Sequence, residues 1–166
     1  MDFSLLFQKQ TELDKHIETK HGLEKESLLD RKLMAFYVEL AELANETRSF
    51  KFWSEKGPSE YEVILEEYVD GIHFILSVGL EQGFQDEPAF KYPDISVKSG
   101  EELVPYFYNV IEAVSSHRKA GKRSSYRGLF ESYLELGAVL GFPEHEIIDA
   151  YEKKNEVNYE RQKEGY

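Results

Sequence analysis

The stretch 60-EYEVILEEYVDGIHFILSVGLEQ-82 decides the fold. Within it Val63, Ile64, Tyr68, Ile72, Ile75 and Leu76 recur at three- and four-residue steps, the period of one face of an α-helix and not the alternation of a strand. So wide a stripe predicts a helix at the centre of a bundle. The same period extends outward on both sides. Leu5, Leu6, Gln10, Leu13 and Ile17 mark an amphipathic helix that gives out near His21-Gly22. A second, from about Glu24 to Arg48, carries Leu28, Leu29, Leu33, Met34, Tyr37, Leu40, Ala41 and Ala44 as its buried stripe. Residues 49–59 (SFKFWSEKGPS) break the pattern at Gly57-Pro58, and Ser59 with Glu62 has the spacing of a capping box. Residues 83–100, interrupted by Pro88 and Pro93, form a long irregular connection of a kind that is often functional or mobile. Glu101–Lys119, Tyr126–Leu140 and Pro143 to about Lys163 read as three further helices. Strand signals are poor throughout, so the expected fold is an all-α bundle forming one domain over residues 1–166.

Composition narrows the function. The net charge of -12, from 20 Lys+Arg against 32 Asp+Glu, disfavours a nucleic-acid polymer as partner, because phosphate contacts require a basic face. No run of 18 apolar residues is present, and the opening MDFSLLFQKQTELD has acids where a secretory leader has bases. The expectation is a cytoplasmic protein with no membrane association. With no cysteine, any metal must be held by oxygen or histidine.

Two acidic pairs stand out. Glu39 and Glu42 are three apart on the second helix, and Glu67 and Asp70 three apart on the third, so each pair projects from one helical face. Both lie among apolar neighbours: Leu40, Ala41 and Leu43 around the first, Tyr68, Val69, Gly71 and Ile72 around the second. Side-by-side packing would bring four carboxylates together, and their repulsion calls for a cation. Oxygen-only ligands suit Mg²⁺, with Mn²⁺ as a substitute. An acidic protein can then bind a polyanionic nucleotide through the ion. The bland alternative is four acids on a solvated face.

Other residues carry the same pair of readings. Lys154, Asn158 and Arg161 fall at i, i+4 and i+7 with Asn155 alongside, which suits a phosphate and hydroxyl clamp or simply a frayed polar helix end. Trp53 could wall a base pocket or plug the core. Lys56 could meet a phosphate or only solvent. Gln10 offers both an amide donor and an acceptor, which suits reading a hydrogen-bonding ligand edge or simply a polar helix face. His73 lies three residues beyond Asp70, where a core histidine is the commoner outcome. The basic run 116-SHRKAGKRSSYR-127 reads better as a solvated interhelical loop than as a phosphate site.

The spacing Glu39-x-x-Glu42, 24 residues, Glu67-x-x-Asp70 resembles the metal signature of the MazG-like all-α NTP pyrophosphohydrolases, a superfamily that includes the dimeric dUTPases. Three further segments resemble motifs of that dUTPase family: Gln10-x-x-Leu13-Asp14, Phe52-Trp53-Ser54-x-Lys56, and the run Ala150-Tyr151-x-x-Lys154-Asn155-x-x-Asn158-x-x-Arg161-Gln162-x-x-Gly165-Tyr166. The region from Gly83 to Gly141 matches none of its motifs. The resemblance implies a four-helix core, a homodimer, and Mg²⁺-dependent hydrolysis of dUTP to dUMP and pyrophosphate, which keeps uracil out of DNA. It implies Glu39, Glu42, Glu67 and Asp70 as metal ligands, with Glu39 and Glu42 catalytic and Glu42 orienting or deprotonating the attacking water. It also implies Gln10, Trp53, Lys56, Lys154, Asn155, Asn158 and Arg161 as substrate contacts, with dUDP a second candidate substrate. Two rivals stand beside it. One is a dCTP or broad-range NTP pyrophosphohydrolase that shares the carboxylates. The other is a non-catalytic helical protein whose acidic faces bind a basic partner.

Overall fold

The computed structural model describes residues 1–165 and contains six α-helices: α1 (Ser4–His21), α2 (Leu29–Thr47), α3 (Tyr61–Glu81), α4 (Val104–Ala120), α5 (Arg123–Leu140) and α6 (Glu144–Glu164). No strand forms among the described residues; Asp2 and Ala89 make one isolated bridge. The all-α bundle expected from the helical period is the fold. Tyr166, last residue of the C-terminal motif, lies outside the described residues.

Helix α3 is the centre. It packs against α1, α2, α5 and α6, while α4 lies on α5 and α2. Tyr68, Val69, Ile72, Ile75 and Leu76 are completely buried, and burying a large apolar side chain contributes roughly 1.5–3 kcal/mol. Glycines let α5 approach α3 closely, with tyrosines as the contact. The rings of Tyr68 on α3 and Tyr133 on α5 stack at 4.6 Å, nearly parallel. The Tyr68 hydroxyl donates to the Tyr133 carbonyl at 3.1 Å, and the Tyr133 hydroxyl donates to the Tyr68 carbonyl at 2.8 Å. Each hydroxyl sits over a glycine of the opposite helix, Tyr133 over Gly71 and Tyr68 over Gly137, where any Cβ would overlap the phenol. Tyr126 repeats the arrangement, donating to the Ile75 carbonyl over Gly79.

Several boundaries differ from the helical pattern, each for a local reason. Helix α2 begins at Leu29 instead of near Glu24. The chain leaves α1 through Gly22 at φ 66°, and the Leu23 amide closes back on the Glu18 carbonyl at 2.8 Å, so the next residues form a turn. The Ser59–Glu62 capping box does not form, because the Ser59 amide and hydroxyl are both spent on Glu46 of α2. Residues 116–127 are not an open loop. Helix α4 runs to Ala120, α5 starts at Arg123, and only Gly121-Lys122 lie between. Met34, Ala41 and Val63, expected in the buried stripes, are exposed.

The long connection after α3 is pinned. Arg123 packs over the Phe84 ring at 5.0 Å and pairs with Asp86, while Arg127 lies 4.4 Å over Phe90 and donates to the Glu87 and Ala89 carbonyls. Phe90 itself packs on Phe130 and Phe3. Arg123 and Arg127 of the basic run therefore bind the protein's own connection, while Arg118 pairs with Asp30 of α2.

The tyrosine contacts make opposite demands on helical glycines. Gly71→Ala and Gly137→Ala are each expected to lower stability by about 2–3 kcal/mol through overpacking. Gly128→Ala in α5, whose Cβ would meet nothing within 4 Å, should raise it by about 0.5–1 kcal/mol. Urea midpoints of the three variants check both signs.

Candidate active site

Helices α2 and α3 bring the two acidic pairs to one place. Glu39, Glu67 and Asp70 offer carboxylate oxygens within 4.8 Å of one another, all partly buried. Glu42, one turn beyond Glu39, stays exposed and outside that set, yet its charge acts on both Glu39 and Glu67. Tyr133 lies close enough beneath that the charges of Asp70, Glu39 and Glu67 add to burial in raising its phenol. The hydroxyl that packs on Gly71 thus also holds the backbone between the two α3 acids.

The cluster resists ionisation. Burial, followed by the charges of Asp70, Glu42 and Glu67, pushes Glu39 up to about 7. Burial raises Glu67 and Asp70 as well, the latter against the opposing pull of Lys154 and Arg161. Lys154 of α6, its side chain 9% exposed, bridges Asp70 and Glu66 at 2.7 Å to each. Three crowded carboxylates with oxygen-only donors suit a hard divalent cation.

Beside the triad lies a cavity of about 260 Å³. Helix α1 contributes Gln10, Leu13, Asp14 and Ile17; α3 contributes Asp70, His73, Phe74 and Ser77; α6 contributes Lys154, Asn158, Arg161 and Gln162; Glu39 completes it. A groove of about 390 Å³ on the other side of Lys154 is lined by Glu62, Glu66, Glu146 and Asp149 against Lys153 and Lys154, an excess of negative charge that repels a triphosphate.

Gln10, Lys154, Asn158 and Arg161 therefore meet around one cavity with Glu39 and Asp70. Asn155 is buried next to it. Trp53 and Lys56 are not in the cavity. Trp53 is 65% exposed, and with Phe50 and Phe52 it forms a cluster of edge-on rings on the α2–α3 connection. Seven wall residues lie outside the substrate and metal residues expected from the sequence: Leu13, Asp14, Ile17, His73, Phe74, Ser77 and Gln162. Their signal was in the register, since His73 and Ser77 follow Asp70 at i+3 and i+7 and Asp14 follows Gln10 at i+4. His73 stacks on Tyr151 at 4.0 Å and its Nδ1 faces the Gln10 oxygen at 2.8 Å. Burial and the Lys154 charge, against the weaker pull of the Tyr151 carbonyl, lower it to about 3, so its imidazole is neutral.

An all-α bundle that gathers carboxylates beside a cation-edged cavity has the makings of a nucleotide pyrophosphohydrolase. The chain belongs to the dimeric all-α dUTPase family, whose model, described as dUTPase, matches residues 2–166. A search of curated proteins finds no match. Membership makes this a dUTP pyrophosphohydrolase, a hydrolase with a nucleotide substrate and an implied divalent metal, and sets aside the interaction-protein reading. No helix among the described residues is long and apolar enough to cross a membrane.

The raised acid has a thermodynamic signature. A folded value above the ordinary one means that protonated Glu39 favours the fold below pH 4.5 and that this contribution is lost as pH rises to about 7. Without added metal, Glu39→Gln should therefore gain thermal stability over the parent as pH climbs through that window. Mn²⁺ or Mg²⁺ should stabilise the parent more above pH 7 than below pH 4.5, because the ion needs the ionised carboxylates. Melting curves with and without metal decide it; equal shifts at both ends would overturn the assignment.

Proposed function

We propose that the enzyme hydrolyses dUTP to dUMP and pyrophosphate with Mg²⁺ at the carboxylate cluster, limiting uracil in the cytoplasmic nucleotide pool available for DNA. The observation that carries this reading is the juxtaposition of Glu39, Glu67 and Asp70 with a cavity edged by Lys154 and Arg161. Glu39, Glu67 and Asp70 would hold the ion, with Glu42 adding a fourth carboxylate from the rim. When bound, the ion supplies Lewis acidity and positive charge against the phosphate oxygens.

The protein's own groups do the rest. Lys154 and Arg161 take phosphate oxygens, Lys154 exchanging a carboxylate partner for the substrate. Asn158 and Asn155 supply amide hydrogen bonds to the nucleoside. Gln10 and His73 meet the base at the inner end of the cavity. Glu42, exposed and outside the triad, accepts the proton of the attacking water.

A homodimer completes the reading. Met34, Val38, Tyr108 and Ile111 expose apolar surface on the neighbouring helices α2 and α4, more than scattered single residues would, and a second copy covers it. Trp53 and Lys56, away from the cavity of their own chain, are then available to the partner's.

Pyrophosphate release from dUTP, dUDP, dCTP, dTTP and UTP, each with Mg²⁺ and with EDTA, tests the reaction. Release from dUTP lost with EDTA is expected; equal rates on dCTP would favour a broader pyrophosphohydrolase. Glu42→Gln should reduce turnover by roughly 10²-fold or more with the melting curve retained. If the site is shared, mixing inactive Glu39→Gln protein with inactive Trp53→Ala protein should restore part of the dUTP activity. Two pure variants that stay inactive when mixed, while still exchanging subunits, would place Trp53 in its own chain's site.

A further inference from the structure

The inner end of the cavity is wired in a way that the base-reading role of Gln10 does not by itself require. The Gln10 side chain is almost completely buried, and its oxygen accepts from the Tyr151 hydroxyl at 2.8 Å and lies 2.8 Å from His73 Nδ1. Its amide nitrogen faces Asp14 Oδ1 at 2.7 Å. The other Asp14 oxygen receives the Ser77 hydroxyl and, at 3.3 Å, the Lys32 ammonium. Lys32 is itself held at 3.1 Å by both Glu18 and Glu81. A carboxylate can only accept hydrogen bonds. Asp14 therefore dictates which end of the Gln10 amide is nitrogen.

We infer that Asp14, clamped by Lys32 and Ser77, is a positioning residue that fixes the polarity of Gln10, so that the base meets an N–H donor there and never an acceptor. The first consequence is chemical selection. With both lone pairs of its oxygen engaged, Gln10 has only its second N–H left for the cavity, a group that favours the 4-carbonyl of uracil and opposes the 4-amino group of cytosine. This consequence rests on the base lying at that end of the cavity, as proposed above. The second consequence does not. Because Gln10 presents its oxygen to His73, the imidazole must carry its proton on Nδ1, leaving Nε2 unprotonated.

Asp14→Asn tests both with a nearly isosteric change. Lys32 and Ser77 are donors and draw the oxygen of the introduced amide to their side, which turns its nitrogen toward Gln10. Gln10 then inverts: its oxygen accepts from that nitrogen, its own nitrogen faces Tyr151 and His73, and His73 moves its proton to Nε2. The network stays satisfied, since the Tyr151 hydroxyl rotates to accept, so the fold is retained. Long-range ¹⁵N NMR of the His73 ring should report Nδ1–H in the parent and Nε2–H in D14N, without substrate present. The ratio of kcat/KM for dUTP over dCTP should fall by roughly 100-fold or more. An Nε2–H tautomer in the parent, or no change in D14N, overturns the inference. A tautomer switch with unaltered selectivity keeps the Asp14 clamp, refutes its role in choosing the base, and moves the base elsewhere in the cavity. Lys32→Met, which weakens the clamp without reversing it, should give a smaller loss of selectivity with the parent tautomer still dominant.

Discussion

Two phenols hold the enzyme's centre together. Tyr68 and Tyr133 stack face to face, and each hydroxyl donates to the other's carbonyl across a glycine of the opposing helix. This reciprocal contact fixes the separation, rotation and register of α3 and α5 at once, because a shift by one residue would set a Cβ against each hydroxyl. Register is what the chemistry depends on. Glu67 and Asp70 each directly precede a residue of this contact, Tyr68 and Gly71, so the contact sets the rotation at which α3 presents its acids to Glu39. A site of closely spaced carboxylates tolerates little slack, and here its geometry comes from a neutral, fully buried contact that carries no charge itself.

Charge is then managed along α3 by two lysines. Lys154 from α6 lies between Glu66 and Asp70, and Lys32 from α2 lies among Asp14, Glu18 and Glu81. Both keep raised, firmly protonated ammonium groups despite the burial that opposes them. Lys154 lines the cavity beside the carboxylate cluster, and Lys32 holds the wall residue Asp14 from behind. A chain with a net charge of -12 can thus set Lys154 and Arg161 among the acids that line its cavity.

Much of this was legible in the sequence. The helical period marked all six helices, and the i, i+3 acids together with the motif-like segments pointed to a family that the match over residues 2–166 then identified. What escaped was non-local. Nothing near Ser59 says that its hydroxyl prefers Glu46, and nothing in the run 116–127 says that Arg123 and Arg127 are used to hold Phe84 and Phe90. Gln10 illustrates the limit well. Its residue type announced both a donor and an acceptor, whereas Tyr151, 141 positions away, and His73, 63 away, take the acceptor out of use. Met34 and Val63 sit at helical positions whose phase looks apolar, yet the packing of their helices turns both to the surface.

The protein's single tryptophan is in the exposed connection between α2 and α3, whereas several of its eleven tyrosines lie in the core. Indole emission therefore reports on one short surface segment and is nearly blind to the bundle beneath it. Any event that covers that segment, whether a nucleotide, a second subunit or both, shifts the fluorescence spectrum from a water-exposed to a shielded indole. The molecule carries its own optical reporter, placed by its fold at an exposed aromatic cluster outside the core.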